Sequence, residues 1–252
     1  MEDRDNPGHG GYEERMTLKG ILFDKDGTLI DFDATWGPAA YEVMRTLADG
    51  DEAKLRTLIR ISHYVEEERR FLPSSPLVAG SSAHYGPLWA AALDRPASQD
   101  LYSEMDELFA YWGLKTLAPI HGPAELCAAL RARGLQLGIA TNDAERSARL
   151  QAEALGLDHH LDYVAGYDSG FGAKPGPGMV QGFIDRIGCR PEEVALIGDS
   201  LHDLHAARAA GALAVAVLTG PLGEAARAEV SPHADHGIGS IADLPALIES
   251  LS

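Results

Sequence analysis

Cysteine is scarce in this chain: Cys127 and Cys189 are the only two in 252 residues. Both sit in apolar stretches read as helical. They are expected as buried thiols rather than a disulfide, which points to a reducing cytoplasm. Long apolar runs are missing as well. No stretch approaches the ~20 residues that a membrane-spanning helix needs, so no membrane partner is expected. Positive charge is thin: 21 Lys and Arg stand against 38 Asp and Glu, a net charge of −17. That balance argues against nucleic acid as a partner. It also means that an anionic substrate must be drawn by local positive charge, because the field of the whole chain repels it. The N-terminus lacks the pattern of a secretory signal. Residues 1–16 have almost no apolar content, with Glu2, Asp3, Asp5, Glu13 and Glu14 against Arg4 and Arg15. They are expected to be a disordered tail, with Met16 as a candidate start.

What is present is 45% hydrophobic residues, ample for one large core or two smaller ones. Short Val/Ile/Leu/Ala-rich runs occur at Gly20–Phe23, Leu135–Ala140, Tyr163–Ala165, Val194–Ile197 and Ala214–Leu218. They do not alternate with polar residues, as expected for parallel strands covered on both faces. Helical segments are predicted at Pro123–Arg133, Glu145–Leu155, Gly178–Ile187 and Asp203–Ala210, followed closely by Gly134, Gly156, Gly188 and Gly211 as stop residues. Strand and helix in repetition imply an α/β fold with a doubly wound, Rossmann-like parallel sheet.

The rhythm lapses once. Roughly 90 residues after the first run carry no convincing strand, too many for a plain loop in a compact domain. Their apolar positions follow a helical period instead. Trp36, Ala39, Ala40, Val43, Met44 and Leu47 form one stripe, and Leu101, Met105, Leu108, Phe109 and Trp112 another, after a plausible N-cap at Ser98. Leu55, Leu58 and Ile59 suggest a further helix, and Leu88, Trp89, Ala92 and Leu93 a fourth. The aromatic and Met positions are read as a private core. The expected organisation is an α/β core over 17–32 and 114–252 with a helical cap domain over 33–113. Its hinges are expected near Asp31–Asp33 and Gly113–Pro119, and a cap placed there can act as a lid.

Chemistry gathers at the strand ends, where open α/β sheets bind ligands. The first run stops in Asp24-Lys25-Asp26-Gly27-Thr28. Two carboxylates at the end of a buried strand are costly unless something compensates them, and a cation is the natural compensation. If strand geometry persists, Asp24 and Asp26 share a side. Lys25 then points the other way, with a structural or exposed role, and Gly27 permits a tight turn. The second run ends in Thr141-Asn142-Asp143, the third leads to Lys174-Pro175, and the fourth ends in Gly198-Asp199-Ser200-Leu201-His202-Asp203. Asp24, Asp26, Asp199 and Asp203 supply hard oxygen ligands suited to Mg²⁺. Thr141 offers a hydroxyl, Lys174 a fixed positive charge, and Gly27 and Asn142 backbone N–H groups for an anion. This inventory suits phosphoryl transfer, which needs positioning and charge neutralisation.

In this order and spacing, Asp24-x-Asp26-Gly27-Thr28, Thr141-Asn142, Lys174-Pro175 and Gly198-Asp199-Ser200-x-x-Asp203, then Ala209-Ala210-Gly211, resemble the haloacid-dehalogenase superfamily of phosphohydrolases. The likeness runs from Thr17 onward and is nearest the phosphoglycolate-phosphatase-like branch, which carries a helical cap. It implies Asp24 as nucleophile, forming an aspartyl-phosphate, and Asp26 as acid and then base. It implies Mg²⁺ on the side chains of Asp24 and Asp199 and the main-chain carbonyl of Asp26, with Asp203 acting partly through water. Thr141 and Lys174 would hold the phosphoryl oxygens. The implied substrate is a small phosphorylated metabolite, with phosphoglycolate the leading candidate. A sugar-phosphate or nucleotide phosphatase, a phosphomutase on the same core, and a silent binding protein on the same fold are the alternatives. Dehalogenase chemistry lacks the second aspartate, and phosphonate cleavage needs a cap lysine, for which Lys54 alone is available. Either a monomer or a homodimer is compatible.

Other candidates carry less. His159 and His160 lack metal partners at suitable spacing, and His63, His84, His202 and His205 read as surface or capping residues. Glu66–Arg70 reads as a charged helix face, with Arg69 or Arg70 a candidate for a substrate's distal carboxylate.

Overall fold

The computed structural model describes residues 17–78 and 82–251. The tail expected over 1–16, Met16 included, lies outside the described residues. The chain enters through β1 (Gly20–Phe23) and leaves at once into α1 (Phe32–Ala48), α2 (Glu52–Ile61), the short pair β2 (Tyr64–Val65) and β3 (Arg70–Phe71), α3 (Ser82–Leu93) and α4 (Gln99–Lys115). It then resumes with α5 (Pro123–Ala132), β4 (Gln136–Ala140), α6 (Glu145–Ala154), β5 (Tyr163–Ala165), α7 (Gly178–Ile187), β6 (Val194–Gly198), α8 (Leu201–Ala210) and β7 (Leu213–Val217). Single-turn α9 (Arg227–Val230), β8 (His236–Ile238) and α10 (Leu244–Leu251) close it.

The sheet runs β5-β4-β1-β6-β7-β8, every pair parallel. From β1 the chain steps outward to β4 and β5, then returns to the other side of β1 as β6 and steps outward again. The reversal falls between β1 and β6, the place where doubly wound sheets hold ligands at their carboxyl ends. β1 shows why its run is apolar throughout. Ile21 and Phe23 join a core with Leu137, Ile139, Leu130 and Ile248, while Leu22 joins Leu196, Phe183 and Leu204 on the opposite face. Successive side chains alternate faces, and helices cover both.

The inserted helices have their own apolar core around Trp89, Met44, Leu58, Leu101 and Met105, all essentially solvent-free. Their starts are set by caps. Asp31 accepts from the Ala34 N–H at 2.9 Å, and Ser98 caps α4 as expected, accepting from Leu101. Two expectations fail here. Residues 66–69 are not a helix face but the turn between β2 and β3. Tyr64 and Phe71 face each other across this pair, ring centroids 5.4 Å apart, and Arg69 closes it at φ 49°. A left-handed residue stops a helix, and His63 (φ 49°) has already ended α2. The sixth sheet strand, β8, lies where no strand is expected: three half-exposed residues at a sheet edge carry no apolar run. Cys127 is buried on α5, and burial pushes its thiol up to about 12. Cys189 is also a free thiol, but it follows α7 rather than lying in a helix.

Candidate active site

Asp24 continues the β1 ladder by one bond, its N–H donating to the Ile197 carbonyl at 2.8 Å. Strand geometry then ends. The N–H groups of Thr28, Leu29 and Ile30 turn back on the Lys25 carbonyl, and Gly27 N–H donates to the Ile30 carbonyl at 2.8 Å. Gly27 adopts φ 79°, and a Cβ there would lie 2.6 Å from Asp199 Oδ2. Its role is thus to turn the chain and admit Asp199. Its N–H, expected for an anion, is already engaged. Gly220, after β7, approaches more closely still: a Cβ would stand 1.9 Å from Asp199 Oδ2.

Three of the four expected carboxylates converge, and the Asp26 side chain is not among them. Asp24, Asp199 and Asp203 each place an oxygen within 4.8 Å of the others. Lys174 Nζ reaches into them, donating to Asp24 Oδ1 at 2.6 Å, Asp203 Oδ1 at 2.5 Å and the Ala140 carbonyl at 2.7 Å. Burial works against the Lys174 charge, yet Asp203 and Asp24 outweigh it and hold its pKa above the usual lysine value. Burial pushes the Asp24 carboxyl up to about 7, with Lys174 opposing and Asp203 and Asp26 adding to the rise. Asp199 is raised as well, by burial and by facing Asp24 and Asp203. Asp203 also closes a capping box on α8, its Oδ2 accepting from the N–H (3.1 Å) and hydroxyl (2.6 Å) of Ser200.

Thr141 and Asn142 follow β4. Thr141 Oγ accepts from the Asp143 N–H at 3.1 Å, which leaves its own proton to give. The Asn142 side chain brackets the Lys174 backbone, donating to its carbonyl at 2.9 Å and accepting from its N–H at 2.8 Å. That clamp fixes the loop that delivers Lys174. The Asn142 N–H has no partner among the described residues and borders the cavity above the carboxylates.

Lys25 departs most from expectation. It does not point away but is buried at 2% exposure, with Nζ 2.6 Å from Asp26 Oδ2, 3.2 Å from Asp143 Oδ2 and 5.0 Å from the Trp36 ring centroid. Burial opposes its charge, and Asp26 and Asp143 more than restore it. Trp36, expected only as core, donates from Nε1 to Asp26 Oδ1 at 2.5 Å. Both Asp26 oxygens are thus held. The helical period could not show this, because Trp36 sits at the start of its stripe, nearest the strand end. Arg69 lies over the Tyr41 ring and Arg70 pairs with Glu68, and neither lines the cavity, so the distal-carboxylate candidates fall away. His202, read as a surface or capping residue, does line it. His159 is exposed beside Asp158.

A family description for haloacid dehalogenase-like hydrolases matches residues 18–211. The chain belongs to this family. Among curated relatives of this hydrolase, phosphoglycolate phosphatase from Rhodospirillum rubrum is 32% identical over 194 residues, covering 77% of this chain and 76% of its own. N-acetylmuramic acid 6-phosphate phosphatase from Pseudomonas aeruginosa is 28% identical over 210 residues, covering 82% and 84%. In three dimensions the hydrolase resembles a haloacid dehalogenase family hydrolase from Deinococcus radiodurans, solved with bound phosphate and sodium. The TM-score is 0.65 at 22% identity over 94% of this chain and 97% of that one. No helix among the described residues is long and apolar enough to cross a membrane.

Proposed function

We propose that the protein is a Mg²⁺-dependent phosphomonoesterase working through an aspartyl-phosphate on Asp24. One observation carries the reading. Asp24, Lys174, Asp199 and Asp203, spread over the whole core sequence, meet at the carboxyl edge of β1 and β6 with Lys174 2.6 Å from Asp24. The residues also fit a divalent cation. Asp199 has no bonded cation among the described residues, faces two further carboxylates, and sits in a cradle that side chains at positions 27 and 220 would fill. The Asp26 carbonyl accepts no hydrogen bond among the described residues. Asp24, Asp199 and the Asp26 carbonyl would hold Mg²⁺, with Asp203 behind them. When bound, Mg²⁺ neutralises the charge that otherwise keeps a phosphate dianion from a carboxylate.

In this reading an Asp24 oxygen bonds to phosphorus while the ester oxygen leaves with a proton from Asp26. Asp26 then takes a proton from water, which attacks phosphorus and frees Asp24 and inorganic phosphate. Lys174, Thr141 and the Asn142 N–H orient the phosphoryl oxygens. The helices between β1 and α5 would serve as the cap over 33–113. The names of the relatives make phosphoglycolate the first metabolite to try. The test is phosphate release from an aryl phosphomonoester, p-nitrophenyl phosphate, with Mg²⁺ and with chelator. Release that needs Mg²⁺ and drops at least about a thousandfold in Asp24→Asn is expected. Release unchanged by chelator or by that substitution would overturn the reading.

A further inference from the structure

Above the carboxylates lies a cavity of about 1040 Å³ between the inserted helices and the sheet edge. Ligand cavities of this order take drug-sized molecules, far larger than a two-carbon acid. Its upper wall is Trp36, Phe71, Tyr85, Phe109, Tyr111 and Leu114. Exposed large apolar side chains gather here too: Tyr111 is 54% exposed, Tyr167 45% and Leu222 42%, and all three line the cavity. Water-facing apolar groups clustered around a cleft mark a surface that a ligand covers.

Charge away from the phosphate end is unbalanced. Asp106, Glu107 and Glu229 line the cavity with no ion pair among the described residues, against Arg146 alone; Asp143, which also lines it, is paired with Lys25. Arg146 makes no ion pair among the described residues, but it is exposed and outnumbered. The Tyr85 side chain is a second pointer. It is 6% exposed, it lines the cavity, and its hydroxyl has no hydrogen-bond partner among the described residues. Asp106 lines the same cavity, and burial first, then Asp106 and Asp143, raise the Tyr85 pKa.

Resting on the phosphomonoesterase reading, we infer that the leaving alcohol is bulky, presents an aromatic or hydrocarbon face, and carries no anion. Its far end donates hydrogen bonds to Tyr85 and Asp106, as an amine or hydroxyl would. A carboxylate there meets the acids, and like charges in a partly dry cleft oppose binding. Phosphoglycolate is therefore a poor substrate despite the names of the relatives.

The experiment uses a matched series: 2-phenylethyl phosphates carrying hydrogen, aminomethyl or carboxylate at the para position, alongside phosphoglycolate and p-nitrophenyl phosphate. The para group barely changes leaving-group basicity, so kcat/KM reports cavity contacts. The aminomethyl compound is expected to exceed the carboxylate by about tenfold or more, with phosphoglycolate below the unsubstituted compound. Asp106→Asn is expected to narrow the aminomethyl-to-carboxylate ratio, an effect that general loss of folding does not produce. Preference for phosphoglycolate, or a carboxylate compound as good as the aminomethyl one, overturns the inference while leaving the phosphomonoesterase reading intact. Absence of Mg²⁺-dependent release from every compound, p-nitrophenyl phosphate included, overturns both.

Discussion

Lys25 sits between two aspartates assigned to chemistry, yet its own partners are Asp26, Asp143 and the face of Trp36. With the Trp36 N–H on the other Asp26 oxygen, it fixes where the proposed proton donor points. Positioning of that kind matters most when the leaving oxygen is basic and must receive a proton. Lys25→Met is therefore expected to lower kcat/KM for an alkyl phosphate by about 10–100-fold and to harm p-nitrophenyl phosphate several-fold less, since nitrophenolate leaves unprotonated. Equal losses on both esters would show that Lys25 is merely structural. The clamp also marks the limit of sequence reading at this scale. Asp24, Asp26, Thr141 and Asp199 are legible because carboxylates and a hydroxyl that close apolar runs are costly to bury without a ligand or counter-charge to serve, whereas Lys174 and Asp203 lie farther from their strands and are legible only through the order and spacing of the motifs. Lys25 is not legible, because the strand ladder ends at Asp24 and the chain then turns back on the Lys25 carbonyl.

Trp89 shows what holds the inserted helices together as one layer. Its side chain is solvent-free, packs with Tyr85 at 5.3 Å and Phe109 at 6.0 Å between ring centroids, and donates from Nε1 to Ser62 Oγ at 3.0 Å. It thus joins α3 to α4 and to the end of α2. Trp89→Ala leaves a large void and an unpaired hydroxyl, and is expected to cost about 3–5 kcal/mol. A fall in the urea midpoint with little change in slope would register it. An unchanged midpoint would mean that this layer contributes nothing to the cooperative fold. The helices themselves are readable from period and caps over long stretches. The β2–β3 pair is not, because two-residue strands have no periodicity and the turn's charges resemble a solvated helix face. β8 escapes for a related reason: it is three residues at a sheet edge, none of them buried, so no apolar run marks it.

Across the whole molecule, the excess of acid has a local and a diffuse part. The net charge of −17 belongs to the chain as a whole, while Asp24, Asp199 and Asp203 crowd one spot where Lys174 is the cation bonded to the cluster. Any salt relieves the diffuse part by screening, with a reach near 10 Å at about 0.1 M. Only a cation bound among the carboxylates relieves the local part, and binding to the folded state alone adds about 2.7 kcal/mol at a hundred times Kd. Mg²⁺ should therefore raise Tm above what NaCl achieves at equal ionic strength. Asp199→Asn separates the two contributions. Removing one of the clustered charges should raise Tm in chelator, because a carboxylate raised by burial and by its neighbours gives way to a neutral amide. The same change should abolish the extra response to Mg²⁺ while leaving the NaCl response in place. Scanning calorimetry of both proteins in chelator, NaCl and Mg²⁺ makes the comparison. If Asp199→Asn lowers Tm in chelator and keeps the Mg²⁺ response, the cluster is neither strained without a cation nor the place where one binds.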